Sequence, residues 1–111
     1  MKVIYTAGPY SADGDNNVLN NILTARYIAR TLWLRGWAVI CPHTNNILMN
    51  GPDTTWELFM AGDLELLKRS DAIYMLPGWE NSKGAKVEHG IARTLGLPIY
   101  YNLDEVPNEK G

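Results

Sequence analysis

Two acidic residues stand where the sequence pattern calls for apolar ones. Between Ala85 and Leu95, the residues Ala85, Ile91, Ala92 and Leu95 recur at helical spacing and mark an inward stripe. Glu88 falls three residues after Ala85, three before Ile91 and four before Ala92, so it shares that face. In the preceding helical segment Trp56, Phe59, Met60 and Leu67 form the stripe, and Asp63 lies four residues from both Phe59 and Leu67. A buried carboxylate is costly unless it is paired or hydrogen-bonded. Glu88 also sits in the first turns of its helix, where the dipole favours an anion. Two inward acids on neighbouring helices suit general acid–base or nucleophilic chemistry. The structural alternative is that each acid caps a backbone or pairs with an arginine.

The surrounding elements must place these acids. Lys2 to Ala7 reads as a strand closed by Gly8-Pro9, and Gly8 to Asn17 as a polar loop. A helix over Val18 to Arg35 presents Ile22, Ala25, Ala29 and Leu32, and Gly36 stops it. Trp37 to Cys41 is a second strand. His43 to Thr54 is a polar loop with Asn45, Asn46 and Asn50. Thr54 or Thr55 caps the helix that carries Asp63, and Gly62 is a point where that helix could break. Asp71 to Leu76 is a third strand, Pro77 to Gly84 a loop, Ala85 to Leu95 a helix ended by Gly96, and Pro98 to Tyr101 a last strand.

Strands alternating with helices predict an α/β fold. Its form is a three-layer, Rossmann- or flavodoxin-like parallel sheet of about four to five strands, with helices on both faces. The strands show little polar alternation, as expected when both faces are covered. One domain over residues 1–103 is expected, followed by a polar tail, 104–111, that frays. In such sheets ligands bind beyond the carboxyl ends of the strands. Three segments meet there: Gly8-Pro9-Tyr10-Ser11, Pro42-His43-Thr44-Asn45, and Gly78 through Gly84.

Composition narrows the function. The chain has 111 residues and a formal net charge of −2, which gives no electrostatic footprint for nucleic acid or an anionic membrane. Its single cysteine, Cys41, forms no internal disulfide, which fits a reducing cytoplasm. No apolar run approaches the ~20 residues needed to span a bilayer, and the N-terminus does not read as a signal peptide. Neither Gly-x-Gly-x-x-Gly nor a P-loop is present. His43 has no second His or Cys nearby at metal-ligand spacing, so no metal site is expected, and the chemistry considered requires no other cofactor.

Several other residues are candidates with plain alternatives. Ser82, Lys83 and Gly84 lead into a helix N-terminus and suit a phosphate, or form an ordinary capped loop. His43 is placed to contact a base or phosphate, or is structural. Tyr5 lies near the carboxyl end of the first strand, or is a core aromatic. Tyr27 and Trp33 make the first helix apolar beyond its core stripe, as a dimer contact or as a wide core stripe.

Four runs then carry a resemblance: Tyr5-Thr6-Ala7-Gly8-Pro9-Tyr10, Gly62 through Leu67, Ser70 through Tyr74, and Ser82 through Ala92. Together they resemble the nucleoside 2-deoxyribosyltransferase superfamily, over nearly the whole chain to Tyr101. The run Leu76 to Ala85 is similar to that of a short, often phage-borne subgroup. The resemblance implies that Glu88, between Gly84 and Gly90, is the nucleophile, that Asp63 is the helix acid and that Tyr5 is the tyrosine before the first glycine loop. Gly8, Pro9, Tyr10, His43, Asn45, Gly78, Trp79, Ser82 and Gly84 would then hold substrate. Six residues before the nucleophile the deoxyribosyltransferases carry Asp, whereas this chain has Ser82. Ser there is similar to the 2′-deoxynucleoside 5′-phosphate N-hydrolases, in which it helps to hold the 5′-phosphate. A hydroxyl donates to a phosphate, and a carboxylate repels it.

The resemblance therefore implies cleavage or transfer of an N-glycosidic bond in a (deoxy)nucleoside 5′-monophosphate or nucleoside. The protein would act as a homodimer or higher homo-oligomer on a small molecule, with neither nucleic acid nor membrane as partner. In the family the neighbouring subunit completes the site with a polar residue from its C-terminal segment. Here Asn102 or another group takes that place, or the contact is missing. A non-catalytic nucleotide-binding module of the same fold is the alternative.

Overall fold

The computed structural model describes residues 1–9, 18–45, 49 and 51–110. Their elements run in the order β1 (Val3–Ala7), α1 (Val18–Leu34), β2 (Ala38–Ile40), α2 (Pro42–Asn45), α3 (Trp56–Lys68), β3 (Ala72–Met75), α4 (Lys83–Leu95) and β4 (Ile99–Tyr100). Two short 3₁₀ turns, Trp79–Asn81 and Leu103–Glu105, follow β3 and β4. The four strands form one parallel sheet in the order β2-β1-β3-β4. After β2 the chain crosses to the other side of β1. A crevice therefore opens between β1 and β3, where such sheets bind ligands.

The strand period builds a core on each side of the sheet. Ile4, Ala72 and Tyr74 point to one face, where α1 lays down Ala25, Ile28, Ala29 and Leu32 together with Trp37. Tyr5, Ala7, Ile73 and Met75 point to the other face and meet Leu67 of α3 and Ala85 and Ala92 of α4. The three-layer α/β architecture expected from the sequence is the observed one.

Helix ends follow local chemistry. The Thr55 side chain caps α3 by accepting from the Leu58 amide at 3.1 Å. Ser82 does the same for α4, accepting from Ala85 N–H at 3.2 Å. Gly62 does not break α3, which runs unbroken from Trp56 to Lys68. A lone glycine costs only ~1 kcal/mol in a helix interior, which packing offsets. The segment after Pro42 is one helical turn rather than loop.

The tail expected to fray is docked. Val106 is buried in the α1-side core, and Trp37 Nε1 donates to the Pro107 carbonyl at 2.9 Å. Arg35 donates to the Leu103 carbonyl, and the Glu109 amide donates to the Arg35 carbonyl at 2.7 Å. Gly36 makes this approach possible. Its φ is +92°, and a Cβ there would lie 2.7 Å from the backbone of Glu109 and Lys110. Polar composition pointed to fraying, but one buried valine, one backbone hydrogen bond and the bonds donated by the Trp37 and Arg35 side chains outweigh it.

Candidate active site

At the carboxyl ends of β1, β2 and β3 the described residues enclose an open cleft of about 1230 Å³. That is somewhat roomier than the ~300–1000 Å³ usual for small-molecule sites. Gly8-Pro9 after β1, Pro42-His43 after β2 and Pro77-Gly78 after β3 form its floor and rim. Gly8 lets β1 and β3 close together below it, since a Cβ there would sit 2.5 Å from Leu76 Cβ.

Glu88 is the buried acid of this cleft. It keeps 6% of its surface exposed and lines the cavity from α4. The hydroxyl of fully buried Tyr5, on β1, donates to Glu88 Oε2. Burial pushes the Glu88 carboxyl up to about 7, against the opposing pull of the Tyr5 hydrogen bond. The negative field of Asp63 adds to the rise, and His43 counters it. Burial likewise pushes the Tyr5 phenol far up, helped by the charge of Glu88, so Tyr5 stays a neutral donor. Asp63, half-buried on α3, lines the same cavity. The arginine expected in the structural alternative is absent from the described lining of the cleft.

His43 is 4% exposed, and its Nε2–H donates to the Pro9 carbonyl at 2.7 Å. That bond ties the loop after β1 to the turn after β2. Burial alone would depress the imidazole, but hydrogen bonding with Cys41 and with Pro9 outweighs it and raises its pKa. Burial would likewise raise the Cys41 thiol, yet hydrogen bonds with His43, Thr6 and Thr44 bring it below its ordinary value.

The structure brings together Glu88, Asp63, Gly8, Pro9, His43, Gly78, Ser82 and Gly84 around one cavity, with Tyr5 directly behind Glu88. Two expected site residues lie elsewhere. Asn45 ends α2, exposed and outside the lining, because the helical turn carries it away from the cleft. Trp79 turns its ring onto the α4-side core and stacks on His89 at 4.3 Å. Tyr10 lies outside the described residues. Asn102 caps the second 3₁₀ turn, with its side chain and that of Glu105 bonded reciprocally to backbone amides.

Other cleft residues escaped the sequence reading. Asn20, Asn21 and Thr24 of α1 line the cavity. Their signal is a polar cluster in the first turns of the helix after a glycine loop. Trp56, Phe59 and Met60 were expected in the core, but they wall the cleft, and Trp56 is 48% exposed. The stripe of α3 is therefore divided, its first half facing the cavity and Leu67 facing the core. Lys83 Nζ rests over the Trp56 ring, 4.9 Å from its centroid. Among the described residues no group of His, Cys, Asp and Glu is arranged to hold a metal ion.

A family profile described as a domain of unknown function (DUF4406) matches residues 2–101. The chain belongs to that family. Its fold is also that of a 2-deoxyribosyltransferase from the psychrotolerant bacterium Bacillus psychrosaccharolyticus, with a TM-score of 0.61 at 22% identity. That match covers 87% of this chain and 69% of the other. A conserved protein from Enterococcus faecalis V583 is similar at a TM-score of 0.67 and 22% identity, over 89% of this chain and 61% of that one. Among curated proteins none matches. At these identities the likeness extends to the nucleoside 2-deoxyribosyltransferase-like fold.

Proposed function

We propose that this family member cleaves the N-glycosidic bond of a nucleoside or nucleoside 5′-monophosphate, with Glu88 as the nucleophile and deoxyribose as the favoured sugar. The observation that carries this reading is a buried Glu88 carboxylate, oriented by Tyr5, facing an open cavity beside a second acid. A donor on Oε2 leaves Oε1 to attack the anomeric carbon as the base departs through an oxocarbenium-like transition state. A proton reaches the leaving base from Asp63 or from water that Asp63 holds. Water, or a second base, then displaces the sugar from Glu88 and restores the free carboxylate.

Ser82 and the α4 N-terminus offer a hydroxyl and a positive dipole end to a 5′-phosphate. The wall of Trp56, Phe59 and Met60 offers an apolar face to the rest of the substrate. Self-association belongs to the same reading, since Leu19, Leu23, Tyr27 and Leu34 form an exposed apolar stripe on α1. Sedimentation of wild type and Leu23→Glu tests that part, and a monomeric wild type removes it.

The activity test is direct. Each nucleoside and nucleoside monophosphate is incubated with the protein, and free base is followed by chromatography. Release by wild type and not by Glu88→Ala supports the proposal. Ligand recovered unchanged, with affinity retained in Glu88→Ala, would instead make this a binding module.

A further inference from the structure

Trp79 does not line the cleft, but its contacts give it another role. The turn Trp79–Asn81 delivers Asn81 and Ser82 to the cavity. Its backbone bonds are local. Trp79 N–H donates to Leu76 O at 3.1 Å, Asn81 N–H to Gly78 O at 3.1 Å, and Ser82 N–H to Trp79 O at 3.0 Å. Glu80 and Asn81 are exposed, so Trp79 is the side chain that anchors this turn to the core. Its ring stacks on His89 with the planes 26° apart.

His89 follows Glu88 on α4 and projects about 100° away from it around the helix. The His89 ring is fixed in turn by Tyr101, just past β4, whose hydroxyl lies 2.8 Å from His89 Nε2. Tyr101 also packs beside Trp79, with ring centroids 6.2 Å apart. A continuous aromatic contact thus runs from the end of β4, across the back of α4, to the turn carrying Ser82.

We propose that Trp79, His89 and Tyr101 form a brace that sets the position of Ser82 relative to Glu88, making all three positioning residues for the phosphate end of the substrate. The part concerning phosphate rests on the substrate reading above. A nucleotide must reach Ser82 with its phosphate and Glu88 with its anomeric carbon at once. The two side chains lie six residues apart, with Ser82 at the cap, where the Ala85 and Lys86 amides hold it to α4 on one side and its own amide, donating to the Trp79 carbonyl at 3.0 Å, holds it to the turn on the other. Stacked aromatic pairs hold such geometry at low entropic cost.

Two readouts test the brace. Amide exchange by mass spectrometry is compared in wild type, Trp79→Ala, Trp79→Phe and Tyr101→Phe. The expected result is exchange about tenfold faster over residues 78–85 in Trp79→Ala, with β1 and α1 unchanged and Trp79→Phe close to wild type. Calorimetry then compares a deoxynucleoside with its 5′-monophosphate. Trp79→Ala should lose about tenfold in affinity for the monophosphate, the effect of one charge-assisted hydrogen bond, and little for the nucleoside.

Unchanged exchange over 78–85 in both Trp79→Ala and Tyr101→Phe overturns the brace. Equal losses for both ligands overturn its role in positioning Ser82. If wild type binds neither ligand, the substrate reading fails instead, and the brace is decided by the exchange result. Tyr101→Phe removes one hydroxyl and keeps the fold accessible to both measurements should Trp79→Ala not fold.

Discussion

The two ends of the sheet arrange their polar groups in opposite ways. At the amino-terminal end, Trp37 Nε1 donates to the Pro107 carbonyl and the Arg35 guanidinium to the Leu103 carbonyl, and Lys2 pairs with Glu109 at 3.1 Å. Donors there meet acceptors, and the result is attachment. At the carboxyl-terminal end, Glu88 and Asp63 bring like charges toward one cavity, and the Glu88 carboxyl is held near 7. Burial there is only partly compensated, by one phenol hydroxyl and the field of His43. Uncompensated burial of an acid is a stability cost, and it is expected where chemistry needs a poised carboxylate.

Mutations at the two ends should therefore behave differently. The largest expected effect is on activity at the cleft. Glu88→Ala should lower base release by on the order of 10³-fold or more, read by chromatography. Tyr5→Phe should lower it by about 10²-fold. The Tyr5 hydrogen bond opposes the rise in the Glu88 pKa. Its removal should therefore move the acid limb of the kcat/KM profile above the wild-type value near 7. A profile that stays in place would separate Tyr5 from the ionisation of Glu88.

Next comes the pH dependence of stability. The ordinary carboxyl value is 4.5 and the folded value about 7. A raised folded pKa means that the contribution of Glu88 is fully present below about pH 4.5 and lost as pH rises through 7. Glu88→Gln should therefore match wild type in denaturant unfolding at pH 4 and exceed it by about 3 kcal/mol at pH 8. The reverse order would show that the acid is compensated in the folded protein.

At the strapped end the effects shift from activity to stability. Trp37→Phe deletes the donor to Pro107 and should cost about 1–3 kcal/mol of stability while base release stays at the wild-type rate. The smallest effect is expected for Lys2→Ala. That ion pair is exposed on the lysine side, and the melting temperature should not change measurably. A loss of activity in Trp37→Phe would break the separation of the two ends.

Much of this contrast was readable in the sequence. Short apolar strands without polar alternation, period-3.6 helices and glycine stops pointed to the parallel α/β order, because burial on both sheet faces removes the alternation that a half-exposed strand would show. Glu88 and Asp63 were readable because a charge on an apolar stripe breaks the pattern. Trp56, Phe59 and Met60 were misplaced because a stripe facing a cavity has the same spacing as one facing the core. Trp79 was misplaced because a loop position does not state which way its ring turns. The docked tail was missed because its anchors, Arg35, Gly36 and Trp37, lie about 70 residues away in sequence.

The most direct test of Glu88 as nucleophile is capture of the glycosyl intermediate. The protein is incubated with a 2′-fluoro-substituted nucleoside monophosphate, digested and analysed by mass spectrometry. The expected result is one sugar phosphate ester on the peptide containing Glu88, formed as free base appears, and none in Glu88→Gln. Free base without any adduct, or an adduct on another residue, would contradict it.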